Sequence, residues 1–514
     1  MSDTRDTPVR RAGIALSSLT VMGGFVASKA IGLVRQAIVT RAFGAGAELD
    51  AYYAAFKLPD LLLTLIAGGA IASAFIPLFA GYLARGERAR AWKMASATLN
   101  VLLLTMGTLA FAAALVAPWV VRVFVAPGFS PPQQALTAEL LRTVLLSSVL
   151  FAASSLVMSV LQAHNRFLLP AIADFFYDVG IIGGALFLVP KWGIRGLAWG
   201  VVAGALLHLL IQVPGLIRVQ ARYTLTVRTQ DRGLLDLLVL MGPRIAILGL
   251  FQLVLLLTTN LASRMAAGSI TAINLGWIVM QMPEVIFGMA IATAVFPTLS
   301  RLATQGDLET LKVTVSNALR AILALTLPSV LALLLLGRSY LAVLFGTQAM
   351  KQVVWTTAAF SAGLLGHSLL ELAARIFYAH KDTLTPFYVA LGATAVNVSL
   401  CLILGPVWGA AGLALANSIA VSLQSALLLW LGWRSRVRFD WRPIGRLCLH
   451  TILALVGMFL VTWLVMRQTA ALGDLYVALL GSAAGGVVYV AVMVALNRQD
   501  ALAALRAVRE KLGI

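Results

Sequence analysis

The chain has 514 residues, of which 60% are hydrophobic and only 11% charged, with a mean hydropathy of +0.93. A soluble chain carries roughly 25% charged residues to cover its core, so a cytosolic multidomain enzyme, a disordered chain and a secreted disulfide scaffold are excluded. An all-α polytopic membrane protein remains. The net charge of +19 would suggest nucleic acid in a soluble protein. Here the basic residues sit in short loops between apolar runs, so the expected partner is membrane lipid and not nucleic acid.

A spanning helix needs about 20 apolar residues. Runs of that kind recur near 14–41, 59–84, 92–118, 136–162, 169–189, 194–217, 234–260, 270–298, 313–336, 352–378, 384–405, 410–432, 444–466 and 474–496, about fourteen in all. Arg10 and Arg11 precede the first run, which contains Lys29 and has no small-residue cleavage site close behind it. It reads as a retained helix and not as a cleaved signal peptide. The loops on one side hold most of the Lys and Arg, among them Arg85, Arg88, Arg90 and Lys93, and then Arg434, Arg436, Arg438, Arg442 and Arg446. The positive-inside rule puts that side in the cytoplasm, and an even number of spans puts both termini there. The tail at 499–512 reads as a basic amphipathic helix that lies against anionic lipid.

The chain also matches itself. Ala70-Ile71-Ala72-Ser73-Ala74-Phe75-Ile76-Pro77 aligns with Ala290-Ile291-Ala292-Thr293-Ala294-Val295-Phe296-Pro297, and Leu58-Pro59-Asp60 parallels Met282-Pro283-Glu284. Pro190-Lys191-Trp192-Gly193 aligns with Pro406-Val407-Trp408-Gly409 at a shift of 216 residues, and the match runs on through Gly196-Leu197-Ala198 and Gly412-Leu413-Ala414. Six spans fit in one copy. The expected domains are therefore an N-lobe at 1–217, a C-lobe at 218–433, and a further helix pair with the basic tail at 434–514. Six is even, so both copies enter the membrane from the same side and are related by an axis along its normal. Such repeats are the usual frame for alternating access.

Catalytic motifs are missing. No Gly-Lys dipeptide occurs, so there is no loop to cradle ATP phosphates, and no His precedes Glu in a zinc motif. The two cysteines, Cys401 and Cys448, lie in apolar stretches. A transporter without cofactor or metal is expected, not an enzyme, with its energy drawn from the membrane potential, an ion gradient or the substrate gradient.

Ionisable groups inside spans are costly and default to functional hypotheses. Lys29 and Arg35 in the first span, with Lys57, form a candidate cationic wall for an anionic head group such as a phosphate. Snorkelling to an interface is the bland alternative for Arg35. Asp174 and Asp178 are four apart, hence on one helix face. They read as a cation or proton site, or as counter-charges to Lys29 or Arg244, with the ion pair preferred. His367, Glu371 and Arg375 make a polar stripe to which packing or gating is assigned. Gly481 to Gly485 spells GxxxG, a helix-packing motif.

Several stretches together resemble the MurJ/MviN family. They include Ser28-Lys29, Gly32, Arg35, Phe43-Gly44-Ala45-Gly46, Asp50-Ala51, Phe56-Lys57-Leu58-Pro59, Ala126-Pro127-Gly128-Phe129, Asn165-Arg166-Phe167 and Met241-Gly242-Pro243. Arg375, Phe377-Tyr378-Ala379 and Asp382-Thr383-Leu384-Thr385-Pro386 complete the pattern. The resemblance implies a fold of the multidrug/oligosaccharidyl-lipid/polysaccharide exporter superfamily, with two six-helix lobes and a helix pair forming a lipid-tail groove. It implies flipping of lipid II, the undecaprenyl-pyrophosphate-linked peptidoglycan precursor, from the cytoplasmic to the outer leaflet of the bacterial inner membrane. Cell-wall synthesis proteins are implied as partners. Arg35 matches a cavity arginine of the family, Lys29 stands where many members have arginine, and Asp50 and Lys57 fit the pattern too. Departures are Leu63 and Thr64 in place of an arginine pair, Gly68 in place of a frequent acid, Trp277 and Ile278 in place of Asp-Arg, and Glu371 in place of a common lysine. Asn397 fits a sodium-binding asparagine of some members, but Cys401 stands where an acid is expected, which argues against sodium there. The thinned cavity charge keeps two alternatives open: export of another polyprenyl-linked glycan or amphiphile, and a non-transporting scaffold.

Overall fold

Residues 31–66, 70–226, 249, 251–346 and 350–497 are described by the structure, a computed structural model, and among them all regular structure is helical. Lys29, Arg244, Gly68 and the basic tail lie outside the described residues. The preference for helix follows from the solvent: in hydrocarbon a backbone N–H finds no water, and a helix satisfies it within its own segment.

The chain divides into two compact units, Met1–Ala267 and Gly268–Ile514. The first contains α1 (31–43), α2 (Ala47–Ala55), α3 (Lys57–Ile66), α4 (Ala70–Ala84), α5 (Arg88–Leu115), α6 (Pro131–Ala163), α7 (Leu168–Trp192), α8 (Ile194–Arg218) and α9 (Phe251–Ala262). The second contains α10 (Ser269–Gln305), α11 (Leu308–Phe345), α12 (Lys351–Ala379), α13 (Leu384–Ser435), α14 (Trp441–Leu472) and α15 (Asp474–Leu496). Ten helices among the described residues, α5 to α8 and α10 to α15, are long and apolar enough to cross a membrane. The first and seventh expected spans fall largely outside the described residues, and the second is shared between α3 and α4.

The expected eleventh and twelfth spans are the two helical legs of α13, which meet at a kink at Gly409. The bend is local. Gly409 takes φ 58°, ψ −139°, a conformation that a side chain disfavours, so two helical legs meet at a single residue. Gly193, 216 residues earlier, takes φ 56°, ψ −142° between α7 and α8.

The duplication recurs at a second place. α6 ends with Asn165 at φ 57°, its N–H bonded to the Gln162 carbonyl, while the Arg166 N–H reaches the Leu161 carbonyl. α12 ends with Lys381 at φ 60°, with bonds from Lys381 to Tyr378 and from Asp382 to Phe377. Both are Schellman caps closed by a non-glycine residue in left-handed conformation. His164 and His380 also match, each turning Nδ1 onto the carbonyl four residues back.

Packing uses small residues, because lipid tails are as apolar as leucine and contribute no hydrophobic drive between helices. A Cβ on Gly180 would lie 2.2 Å from the Gly204 Cα, so only glycine lets α7 and α8 approach this closely. The first unit centres on Phe75, Phe79, Trp92 and Met106, and the second on Leu299, Val315, Ile322 and Leu372. The terminal pair α14–α15 is fastened to α11: the Tyr489 hydroxyl donates to the Ala324 carbonyl at 2.6 Å, and Tyr340 meets Ser482 at 2.7 Å. Gly481 and Gly485 pack against Leu336 and Thr462, as a helix-packing motif requires.

Candidate functional site

Arg35 on α1 is the centre of the polar cluster in the first unit. Its Nη1 lies 2.7 Å from Asp178 Oδ1 on α7, with the side chains 26% and 8% exposed. Gly32, one turn earlier, makes room: a Cβ there would sit 3.2 Å from Asp178 Oδ2. The guanidinium lies 5.9 Å from the centre of the Tyr177 ring, within cation–π range. Tyr52 and Tyr53 of α2 are close enough to feel its charge. Gln36, next to Arg35, donates to the Tyr53 hydroxyl and to Thr40. Snorkelling therefore does not describe Arg35, which is held by a counter-charge.

Asp50 is buried on α2, near Tyr53. Lys57 opens α3 and interacts electrostatically with Asp60, three residues on and so on the same helix face. Asp60 is also felt by Tyr52 and Tyr177, which ties α3 to the Arg35 cluster. The expected cationic wall is thus a set of paired charges in its described part, with Asp178 beside Arg35 and Asp60 beside Lys57. From sequence Asp178 reads as part of a cation or proton site or as a counter-charge to Lys29 or Arg244, which lie outside the described residues; among the described residues Arg35 stands against it.

Asp174 and Asp178 serve different helices. Asp174 Oδ1 lies 3.3 Å from His208 Nε2 on α8, and His208 Nδ1 meets Ser154 Oγ of α6 at 2.7 Å. Gln212 Nε2 donates to the same hydroxyl at 2.7 Å and to the His208 carbonyl at 2.9 Å. Ser, His and Asp are the residue types of a hydrolytic triad. Here the hydroxyl is fully enclosed and already accepts from Gln212, so the chain is a polar brace across α6, α7 and α8.

The second unit has its own cluster. Arg375 Nη1 pairs with Glu371 one turn away on α12, and Nη2 donates to Thr293 Oγ1 on α10 at 3.0 Å. Glu284, buried in α10, interacts electrostatically with both Glu371 and Arg375. It opens a short π-helical stretch, Glu284–Met289, directly after Pro283. Proline lacks an N–H and its ring crowds the preceding turn, which is a physical cause for the widened turn. His367 Nε2 meets Asn417 Oδ1 at 3.1 Å and packs edge-on to Trp277.

Apart from Glu371, the departures from the family pattern carry no charge. Thr64 accepts from Gln252 Nε2 at 2.8 Å, and Leu63 packs into the apolar core. Cys401 Sγ donates to Asn397 Oδ1 at 3.5 Å. The Asn397 amide oxygen suits a hard cation, but the soft thiol beside it takes the place of the carboxylate or carbonyl that such a cation needs next. Among the described residues no group of three or more His, Cys, Asp or Glu could hold a metal.

Sequence reasoning did not single out Asp60, Glu284, His208, Gln212 or the three tyrosines. For the first two a signal was present, since the duplication aligns Leu58-Pro59-Asp60 with Met282-Pro283-Glu284. Both acids then appear beside the cation of their own unit.

A family model described as lipid II flippase MurJ matches residues 39–483. The chain is similar to the lipid II flippase MurJ of Burkholderia cenocepacia, 32% identical over 431 residues that cover 81% of this chain and 83% of the relative. It is also similar to the probable lipid II flippase MurJ of Thermotoga maritima, 32% identical over 420 residues, covering 80% and 84%. Among solved structures it matches a lipid II flippase MurJ in an inward closed conformation, with a TM-score of 0.80 and 23% identity over 94% of this chain and 99% of that one. An inward-facing multidrug resistance MATE transporter of the MOP superfamily matches with a TM-score of 0.68 and 14% identity, covering 79% and 94%. At these identities the two structures speak to the fold.

Proposed function

This chain belongs to the MurJ family of lipid II flippases, and from that membership we infer that it carries lipid II from the cytoplasmic to the outer leaflet of the bacterial inner membrane by alternating access. The family match over 39–483 carries the reading, since relatives at 32% identity are covered over more than four fifths of their own length. The protein is a multi-pass membrane transporter with lipid II as its substrate.

The chemistry supports that role. An unpaired charge transferred into hydrocarbon faces a Born cost of tens of kcal/mol, and lipid II carries a pyrophosphate. A guanidinium has five N–H donors in a planar fork that fits phosphate oxygens. Arg35 engages Asp178 through Nη1, which leaves further donors for a phosphate. Asp178 and Tyr177 hold the guanidinium in place before substrate arrives. We assign Lys29, Arg35, Asp50 and Lys57 to substrate binding. Asp174, Asp178 and Arg244 are assigned to the charge balance of the site, and Glu371 with Arg375 to gating in the second unit. Both termini are assigned to the cytoplasm. Residues 1–217 and 218–433 are assigned as the repeated lobes, with 434–514 appended. Transport is assigned to the membrane potential or an ion gradient, without cofactor and without catalysis. The neighbours of such a flippase are the proteins that make and consume lipid II.

Depletion of the protein in its own host, followed by labelling of externally accessible lipid II, tests this. Accessible lipid II is expected to fall while the total pool rises. Unchanged accessible lipid II on depletion overturns the reading.

A further inference from the structure

A groove of about 710 Å³ opens between α12 and the bend of α13, walled by the indoles of Trp355 and Trp408 and floored by Ala358, Ala411 and Leu415. Its counterpart in the first half is crossed by an ion pair. Counting back 216 residues, the shift that superimposes Trp408-Gly409 on Trp192-Gly193, Trp355 corresponds to Glu139, Ala358 to Arg142 and Ala411 to Arg195. There Arg195 bridges to Glu139 with two parallel bonds, Nε to Oε1 at 2.7 Å and Nη2 to Oε2 at 3.0 Å, and Arg142 Nε donates to the Ala114 carbonyl at 2.9 Å. The second half has exchanged this ion pair for a tryptophan and an alanine, and the cleft stays open.

The opening has a direction. Trp355 and Trp408 line the groove and are still 63% and 56% exposed. Tryptophans at the ends of spanning helices sit at the boundary between head groups and hydrocarbon. At the rim, Lys351 starts α12, is exposed, and makes no ion pair among the described residues. The neighbouring amide of Gln352 is engaged by Ser269 Oγ at 2.5 Å, so Lys351 is the polar group turned to an occupant. The volume lies in the range of pockets that enclose a single small ligand, enough for one chain of a lipid and not for the whole molecule.

We propose that this groove is a binding site for one anionic glycerophospholipid of the surrounding bilayer, with an acyl chain between Trp355 and Trp408 and the phosphate on Lys351. The charge at the rim selects the anionic head group, and the apolar floor takes the chain. The site is separate from the Arg35 cluster, which lies in the other unit.

Native mass spectrometry of the full-length protein, titrated with palmitoyl-oleoyl phosphatidylglycerol, tests this against phosphatidylcholine of the same chains and against undecaprenyl phosphate. The wild type is expected to retain one phosphatidylglycerol with a preference of about fivefold over phosphatidylcholine, the size expected of one lysine near an anionic surface. Lys351→Ala removes the preference but keeps chain binding. The double variant Trp355→Glu/Ala411→Arg, which rebuilds the ion pair of the first half, loses both lipids. Ala358→Leu fills the same floor by a smaller change and gives the same loss, so the outcome does not hang on one variant folding. Equal retention of the two phospholipids by the wild type, undiminished phosphatidylglycerol binding in the filled variants, or displacement of phosphatidylglycerol by an equal concentration of undecaprenyl phosphate each overturns the proposal.

Discussion

The Arg35 guanidinium and the Asp178 carboxylate meet at 2.7 Å from positions 143 residues apart, and the pair joins α1 to α7. Both charges are largely withdrawn from bulk water, so removing Asp178 leaves the guanidinium without its counter-charge in a medium of low dielectric, at a cost of about 3 kcal/mol. Asp178→Ala is expected to lower the melting temperature of the purified protein and to weaken complementation of a flippase-depleted strain. Arg35→Ala abolishes complementation, and Arg35→Lys, which keeps the charge but loses the planar fork, falls between. The double variant Arg35→Ala/Asp178→Ala is expected to be less destabilised than the two single losses combined, by about 1 kcal/mol or more. Strict additivity in thermal unfolding would show that the two residues do not act as a pair.

Gly193 and Gly409 predict a matched pair of defects. Their shared conformation lies near a region that is essentially closed to residues with a Cβ, where strain is of order 1–3 kcal/mol. Gly193→Ala and Gly409→Ala should each lower stability by an amount in that range. No heavy atom lies within 4 Å of a Cβ at either position, so the loss comes from the backbone and not from a clash. A melting temperature unchanged in Gly409→Ala would argue against the bend.

The spans were legible because a bilayer demands long apolar runs, and the duplication was legible because the Trp-Gly joint and its flanking prolines survive in both copies. What escaped was the choice of partners. Nothing local ties Arg35 to Asp178 or Asp174 to His208, since each pair is brought together by the packing of separate helices at glycine contacts such as Gly180 and Gly204. The two spans read from hydropathy at 384–405 and 410–432 correspond to the two helical legs of α13, which meet at the non-helical torsion of Gly409. Asp60 and Glu284 escaped for another reason: the duplication aligns them, but their approach to a cation is visible only in three dimensions.

Arg375 holds the second unit's cluster, and the order of its defects follows from counting charges. It pairs with Glu371 and interacts electrostatically with Glu284. Arg375→Ala leaves two carboxylates near each other in a part-buried site and should be the most damaging change, at about 3 kcal/mol. Glu371→Gln still leaves Glu284 as a counter-charge and should be milder. Glu284→Gln placed on top of Arg375→Ala is expected to restore part of the stability by removing one of the two repelling groups. Thermal unfolding of the four proteins checks the ranking. Equal losses for Arg375→Ala and Glu371→Gln would show that Glu284 does not take part.

Asp382 gives the pH dependence a sign. It lies between α12 and α13, where its carboxylate accepts from the Thr385 backbone N–H at 3.0 Å, from Thr385 Oγ1 at 2.8 Å and from Arg436 Nη2 at 2.8 Å. The backbone bond from Thr385 is the largest favourable cause, and with the side-chain bonds from Thr385 and Arg436 it holds the carboxyl below its usual range. All of these bonds favour the charged form, so the folded protein releases this proton more readily than the unfolded chain does. The contribution is present in full above the unfolded value, near pH 3.9, and is lost as pH falls through the lower folded value. Wild-type protein should therefore lose stability in acid faster than Asp382→Asn, which has no proton to bind there. At neutral pH Asp382→Asn should be less stable by about 0.5 kcal/mol, the usual worth of a negative charge near a helix N-terminus. The difference between the two melting temperatures should shrink as pH is lowered below 4. A difference that stays constant down to the acid limit would mean that the carboxylate charge contributes nothing to the joint between α12 and α13.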